Sequence, residues 1–269
     1  MKNNYIILLL AVAFALTTSS CGKINLLSLE DEKQLGLQSK AQIESDPAQF
    51  PLLSRAQYPA AYAYLEQMKT DILNSGQVKY KNDFAWELYI INDPNTLNAF
   101  CTPGGYIYVY TGLIKYLDNG SSLAGVLGHE IGHADLRHSG KQLTSQMGLQ
   151  TLLQIVTGAT GAQIGQMVSL LAGLGSLQFS RDHEKESDAA SVKYLCPTKY
   201  QTDGASQFFE KLINSGQSGS TPTFMSTHPD PGSRVQNIRT DAANTSSCYS
   251  SKVSYTNDAE YAAFKNSLP

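Results

Sequence analysis

Ser121-Ser122-Leu123-Ala124-Gly125-Val126-Leu127-Gly128-His129-Glu130-Ile131-Gly132-His133-Ala134 is the stretch on which the fold turns. Leu123, Val126, Leu127, Ile131 and Ala134 recur at helical spacing. They predict a buried α-helix that starts at Ser121 or Ser122, reaches Arg137-His138 and ends at Ser139-Gly140. On such a helix His129 and His133 stand at i and i+4, one turn apart on one face, so both imidazoles can reach one metal ion. Glu130 lies about 100° round the helix from His129, close enough to act on a water at the ion without becoming a ligand. At this chain's own His and Glu usage, roughly 0.003 matches to the pattern arise by chance.

A catalytic zinc ion takes three protein ligands and keeps a fourth position open. The third candidate lies in Ser180-Arg181-Asp182-His183-Glu184-Lys185-Glu186-Ser187-Asp188-Ala189-Ala190-Ser191, which reads as a second helix with Glu184 and Asp188 at i and i+4. Glu184 can complete a His2Glu site. Asp188, a turn further on, could accept a hydrogen bond from the non-ligating nitrogen of a ligand histidine. Spacing alone slightly favours the other reading, a solvated acidic face with Arg181 and Lys185 as partners.

Around these helices the chain predicts an α+β fold that is mostly helical, with a small sheet beside the histidine helix. Ser28 is a candidate N-cap with Asp31 three residues on, opening a helix that Pro47 interrupts. Tyr58, Ala61, Tyr62, Leu65, Met68 and Ile72 mark a helix from about Arg55 to Asn74. The period then changes: Trp86–Ile91 and Tyr106–Tyr110 read as strands, the second preceded by Pro103-Gly104-Gly105. If Tyr106 opens an edge strand, that strand with Pro103, Gly104 and Gly105 could pair with an extended peptide; a core strand is the alternative. From Leu143 to Phe179 an apolar, glycine-punctuated stretch reads as a pair of core or lid helices rather than a membrane span, because Gln163 and Gln166 interrupt it.

The ordered set of motifs resembles the gluzincin family of zinc metallopeptidases that includes the CAAX prenyl proteases, HtpX and the BepA-like proteases. The resemblance is carried by His129-Glu130-Ile131-Gly132-His133, by Ser180-Arg181 with Glu184 and Asp188, and by two further segments. These are Asn98-Ala99-Phe100-Cys101-Thr102-Pro103-Gly104-Gly105 and Ser226-Thr227-His228-Pro229 followed by Arg234; together the motifs span about residues 28–241. The resemblance implies a gluzincin-type domain in which His129, His133 and Glu184 bind one Zn2+. It further implies that Glu130 is general base and then proton donor to the leaving amine. His228 would stabilise the oxyanion or ligate zinc in a latent state. His138, five residues beyond His133, is expected to point off the metal face, and His183 is expected to be a bystander. Cys101 and Asp135 depart from the family pattern without touching a predicted ligand.

The N-terminus reads as export machinery. Lys2 precedes an apolar run from Tyr5 to Leu16, too short for a membrane span, and small residues then lead to Cys21-Gly22. This predicts a signal peptide over residues 1–20 with Cys21 lipidated as the first mature residue, and residues 22–269 as one domain. The expected location is the periplasm, with a lipid anchor in the outer membrane. A formal net charge of −3 with mixed signs argues against a nucleic-acid partner. Cys196 and Cys248 lie in loop-like sequence and are the candidates for a disulfide, while Cys101 reads as a small buried hydrophobe. The resemblance implies unfolded or misassembled envelope proteins as substrates. A non-catalytic peptide-binding or assembly-factor lipoprotein is the alternative, weakened by Glu130, which binding alone does not require. A structural zinc site would call for four protein ligands, usually cysteines.

Overall fold

The structure is a computed structural model that describes residues 24–146, 179–215, 223–228, 231–246 and 258–269, together with 248, 250, 252–254 and 256. The leader with Cys21 and most of the Leu143 to Phe179 stretch lie outside these residues. In chain order the elements are α1 (Leu29–Ser45), α2 (Pro59–Leu73), β1 (Glu87–Ile91), β2 (Ala99–Thr102), β3 (Tyr106–Tyr110), α3 (Thr111–Tyr116) and α4 (Gly120–Asp135). They continue with α5 (His138–Gln146), α6 (Arg181–Leu195), α7 (Gly204–Asn214), α8 (Thr223–Thr227), α9 (Pro231–Asn244) and α10 (Ala259–Asn266). Among the described residues no helix is long and apolar enough to cross a membrane.

The histidine helix, α4, is the axis of the fold. Every residue from Gly120 to Asp135 is buried, so it has no solvent face and its polar groups need internal partners. They have them. Asn119 caps the helix by accepting from Ser122 N at 2.8 Å, and Ser121 Oγ accepts from Gln201 N at 3.0 Å. Asp135 accepts from Lys79 N, Tyr80 N and the Tyr194 hydroxyl at 3.1, 2.7 and 2.7 Å, so the charge that departs from the family pattern serves as a structural acceptor. Leu123, Val126, Leu127 and Ile131 are 1% exposed or less, each contributing about 1.5–3 kcal/mol by burial.

Small residues set how closely neighbours approach α4. A Cβ on Gly125 would lie 2.0 Å from Ala205 N of α7, and one on Gly128 would lie 2.7 Å from Ser191 Oγ of α6. With Gly132 facing Ser187 and Ala190, α6 runs against α4 closely enough to present its acidic side chains to the histidines.

The sheet has the order β1-β3-β2, with β1 and β3 parallel and β2 antiparallel to β3. Leu88, Ile90, Ile107, Val109, Ala99 and Cys101 belong to the main core, while Ile91, Tyr106, Tyr108 and Phe100 join a second cluster with Ile43 and Phe50. Both faces are covered, so β3 is a continuous apolar run and not an alternating one. This corrects the substrate-pairing expectation for Tyr106 and its neighbours. Tyr106 opens the central strand, whose two sides are taken, and Pro103-Gly104-Gly105 is a turn against α1 and Trp86. Gly104 and Gly105 have φ of 78° and 87°, the region in which glycine meets no steric penalty. The strand at the edge facing α4 is β2, whose short Ala-Phe-Cys-Thr sequence gave no strand signal.

Two helix boundaries also differ from expectation. The second helix opens at Pro59 and not at Arg55, because proline fixes the N1 conformation and drives Tyr58 out of the helical region. The histidine helix ends at Asp135; Leu136 caps it, Arg137 takes a φ of 60°, and Ser139-Gly140 lies inside α5. Ser28 and Asp31 form the expected capping box. Cys196 and Cys248 are disulfide-bonded, and Cys101 is free and buried.

Candidate metal centre

Three elements bring their side chains to one buried point. From α4 come His129, Glu130 and His133, from α6 Glu184 and Asp188, and from the end of α8 His228. One donor atom each from His129, His133, Glu184 and His228 lies within 4.8 Å of all the others. The Nε2 atoms of His129 and His133 are 2.9 Å apart; Glu184 Oε1 is 3.2 Å from His133 Nε2, and Glu184 Oε2 is 3.4 Å from His129 Nε2. His228 Nδ1 lies 3.3 Å from His129 Nε2 and 3.0 Å from Glu184 Oε1. All four residues are 1% exposed.

This donor set fits zinc. Asp188 Oδ1 is 2.8 Å from His129 Nδ1, and an ionised carboxylate is an acceptor, so a ring proton sits on Nδ1 and Nε2 is the nitrogen turned to the cluster. Imidazole nitrogens and a carboxylate that converge on one buried point form a group able to hold a metal ion, and nitrogen and oxygen donors suit zinc. Glu130 stands beside the cluster. Its Oε1 is buried with no hydrogen-bond partner among the described residues, 3.5 Å from His228 Nε2.

Arg234 of α9 organises the acids from behind. Its Nε and Nη2 donate to the two Asp188 oxygens at 2.7 and 2.6 Å, its Nη1 lies 2.7 Å from Glu184 Oε2, and the guanidinium sits 4.0 Å from the Phe209 ring centroid. Burial would raise Asp188, but the Arg234 charge and hydrogen bonds outweigh it and hold the carboxyl below its ordinary range. Burial would likewise raise Glu184, yet His228 and His129 hold it well below. Glu130 is different: burial pushes its carboxyl up against the pull of His228 and His129, which suits a group that must both take and return a proton. In the sequence Arg234 stands only as part of a family segment, since nothing local to it reveals the acids it meets.

His138 lies off the metal face, as expected, but directly behind His133. Its Nδ1 lies 3.1 Å from His133 Nδ1, because the break at Arg137 turns the chain back. His183 is buried and stacks on His138 at 4.4 Å between ring centroids.

Against known proteins, residues 59–242 match the model of peptidase family M48. The chain belongs to peptidase family M48. Its domain is of the zinc metallopeptidase kind that the motifs implied. The mitochondrial metalloendopeptidase OMA1 of Schizosaccharomyces pombe is 28% identical over 218 residues, covering 80% of this chain and 62% of that protein. The beta-barrel assembly-enhancing protease of Escherichia coli K12 is 29% identical over 170 residues, 58% of this chain and 34% of that one. Metalloprotease YcaL of the same strain is 26% identical over 258 residues, 89% and 97% of the two chains. The alignments thus span about a third to three-fifths of the first two M48 relatives and nearly all of the third.

Proposed function

We propose that the protein is a zinc-dependent endopeptidase that hydrolyses peptide bonds in unfolded or misassembled cell-envelope proteins, exported and anchored to the outer membrane through lipid on Cys21. The observation that carries the catalytic part is the convergence of His129, His133 and Glu184 with Glu130 at their side. His129, His133 and Glu184 would hold zinc, with Asp188 fixing the His129 ring. When bound, zinc supplies Lewis acidity at the scissile carbonyl and acidifies the attacking water. Glu130 takes a proton from that water at Oε1 and returns it to the leaving amine, which needs a carboxyl whose affinity for protons burial has raised. The edge of β2 beside α4 offers the backbone on which an extended chain could lie. The disulfide and the apolar run before Cys21 support an exported location, and the metalloendopeptidase and assembly-enhancing names of the relatives support the substrate class.

His228 favours a second element of this reading. Its imidazole lies between Glu184 and Glu130, where a substrate carbonyl would have to enter, which supports a latent state that opens when the loop withdraws. A ring so placed could also serve the oxyanion once the loop has shifted.

The test compares wild type, Glu130→Gln and His228→Ala as purified full-length protein, measuring bound zinc and cleavage of an unfolded polypeptide. Wild type should cleave, and Glu130→Gln should keep its zinc while losing at least about a hundredfold in kcat/KM. Zinc in all three without cleavage in any would leave the non-catalytic assembly-factor reading standing. Unchanged turnover and zinc affinity in His228→Ala would remove both roles of that residue.

A further inference from the structure

His138 has an environment that packing alone does not require. On an unbroken helix it would stand about 140° round from His133. The left-handed Arg137 cancels that rotation. Arg137 Nε donates to Glu32 Oε2 at 3.0 Å and its Nη2 to Leu27 O at 2.6 Å, so α1 holds the reversal, and Glu32 is itself 1% exposed. The result places His138, fully buried, with Nδ1 3.1 Å from His133 Nδ1 and Nε2 3.0 Å from Glu186 Oε2. Ser187 Oγ lies 3.2 Å from His138 Nδ1, and Lys141 Nζ is 3.8 Å from Glu186 Oε2.

The proton positions in this chain are mutually dependent. Two ring nitrogens at hydrogen-bond distance share one proton between them. Glu186 Oε2 is the acceptor in the 3.0 Å contact with His138 Nε2, so His138 carries its proton on Nε2 and offers a lone pair at Nδ1. His133 must then donate from Nδ1, which leaves its Nε2 lone pair facing His129 and Glu184. The Ser187 hydroxyl can donate to the same His138 nitrogen without changing this order. We propose that His138 is a positioning residue: backed by Glu186, it accepts the Nδ1 proton of His133 and fixes that ring as a metal ligand, as Asp188 does for His129. This inference rests on the zinc reading above. It makes the two histidine ligands unlike, one held by an internal carboxylate and the other by a neutral imidazole whose tautomer is set from the surface.

The experiment uses the full chain as wild type, His138→Asn, His138→Leu and Glu186→Leu. Zinc affinity is measured by competition with a chromophoric chelator, and folding is checked by near-ultraviolet circular dichroism. Asparagine can place its Oδ1 near the lost Nδ1 and accept from His133, whereas leucine keeps the bulk and accepts nothing. His138→Leu should lose about ten- to hundredfold in zinc affinity, and His138→Asn should recover most of that loss. Glu186→Leu, at a half-exposed position, should lose several-fold. Histidine nitrogen–proton correlations in the zinc-loaded wild type should show the proton on Nδ1 of His133 and on Nε2 of His138. Wild-type affinity in His138→Leu, an Asn variant as weak as the Leu variant, or the opposite His138 tautomer would each overturn the proposal. If His138→Leu does not fold, Glu186→Leu and the tautomer spectrum decide. A wild type that takes up no zinc would defeat the proposed function too, whereas equal affinity in wild type and His138→Leu defeats this inference alone.

Discussion

Replacing Arg234 by methionine keeps an unbranched apolar stem and removes the guanidinium that sits over Phe209. In the wild type Glu130, Glu184 and Asp188 are 1%, 1% and 2% exposed, and Arg234, itself 2% exposed, meets two of them at 2.6–2.7 Å. Removing one partner of a buried ionic group leaves the other charge without compensation, which costs about 3–5 kcal/mol. For a domain of this size that corresponds to a fall in Tm of roughly 6–20 °C. Zinc brings positive charge to the same carboxylates, so the loss should be largest in metal-free protein and smaller with zinc present. The pH dependence has a definite sign. Asp188 is held below its ordinary value in the folded protein, so its stabilising contribution is present above about pH 4 and is lost as pH falls through the depressed folded value. The gap between wild type and Arg234→Met should therefore narrow in acid below about pH 4. Urea unfolding with and without chelator, at neutral and acid pH, measures both effects. A metal-free loss below about 1 kcal/mol at neutral pH, or a gap that widens in acid, would refute the assignment of Arg234 as the counter-charge of this site.

Two further outcomes follow from the packing. Cys248→Ser should cost about 4 kcal/mol in urea unfolding, since Cys196–Cys248 closes a loop with a sequence separation of 52, and the same loss should appear in wild type under reductant. Gly125→Ala would set a Cβ 2.0 Å from Ala205 N and should cost about 3 kcal/mol or more by forcing α4 from α7. The contrast is Gly76→Ala, where φ is 78° but nothing lies within 4 Å, with an expected cost of about 1–2 kcal/mol.

Most of the scaffold near the site was legible because its signals are local. The capping box at Ser28 and Asp31 and the apolar stripe of α4 each depend on residues a few positions apart. β2 was not legible, since four residues without alternation carry no period and become a strand by pairing with β3. The end of α4 was misplaced for a related reason. Ser139-Gly140 looks like a stop signal, yet the break occurs at Arg137, whose unfavourable φ is held by Glu32 more than a hundred residues earlier. That one displacement decides where His138 points.

The sequence by itself determined the chemistry on offer: two imidazoles one helical turn apart, a carboxylate beside them and an acidic pair on a second helix. Helix periodicity is a local property, so residues on one helix could be placed relative to each other without knowledge of the rest. Tertiary structure decided what crosses between helices. The small-residue contact of α4 with α6 brings Glu184 within 3.2 Å of His133, and α9 brings Arg234 onto Asp188 and Glu184. The reversal at Arg137 turns His138 onto the back of His133. These contacts join residues far apart in the chain through burial and charge compensation, which no local spacing encodes.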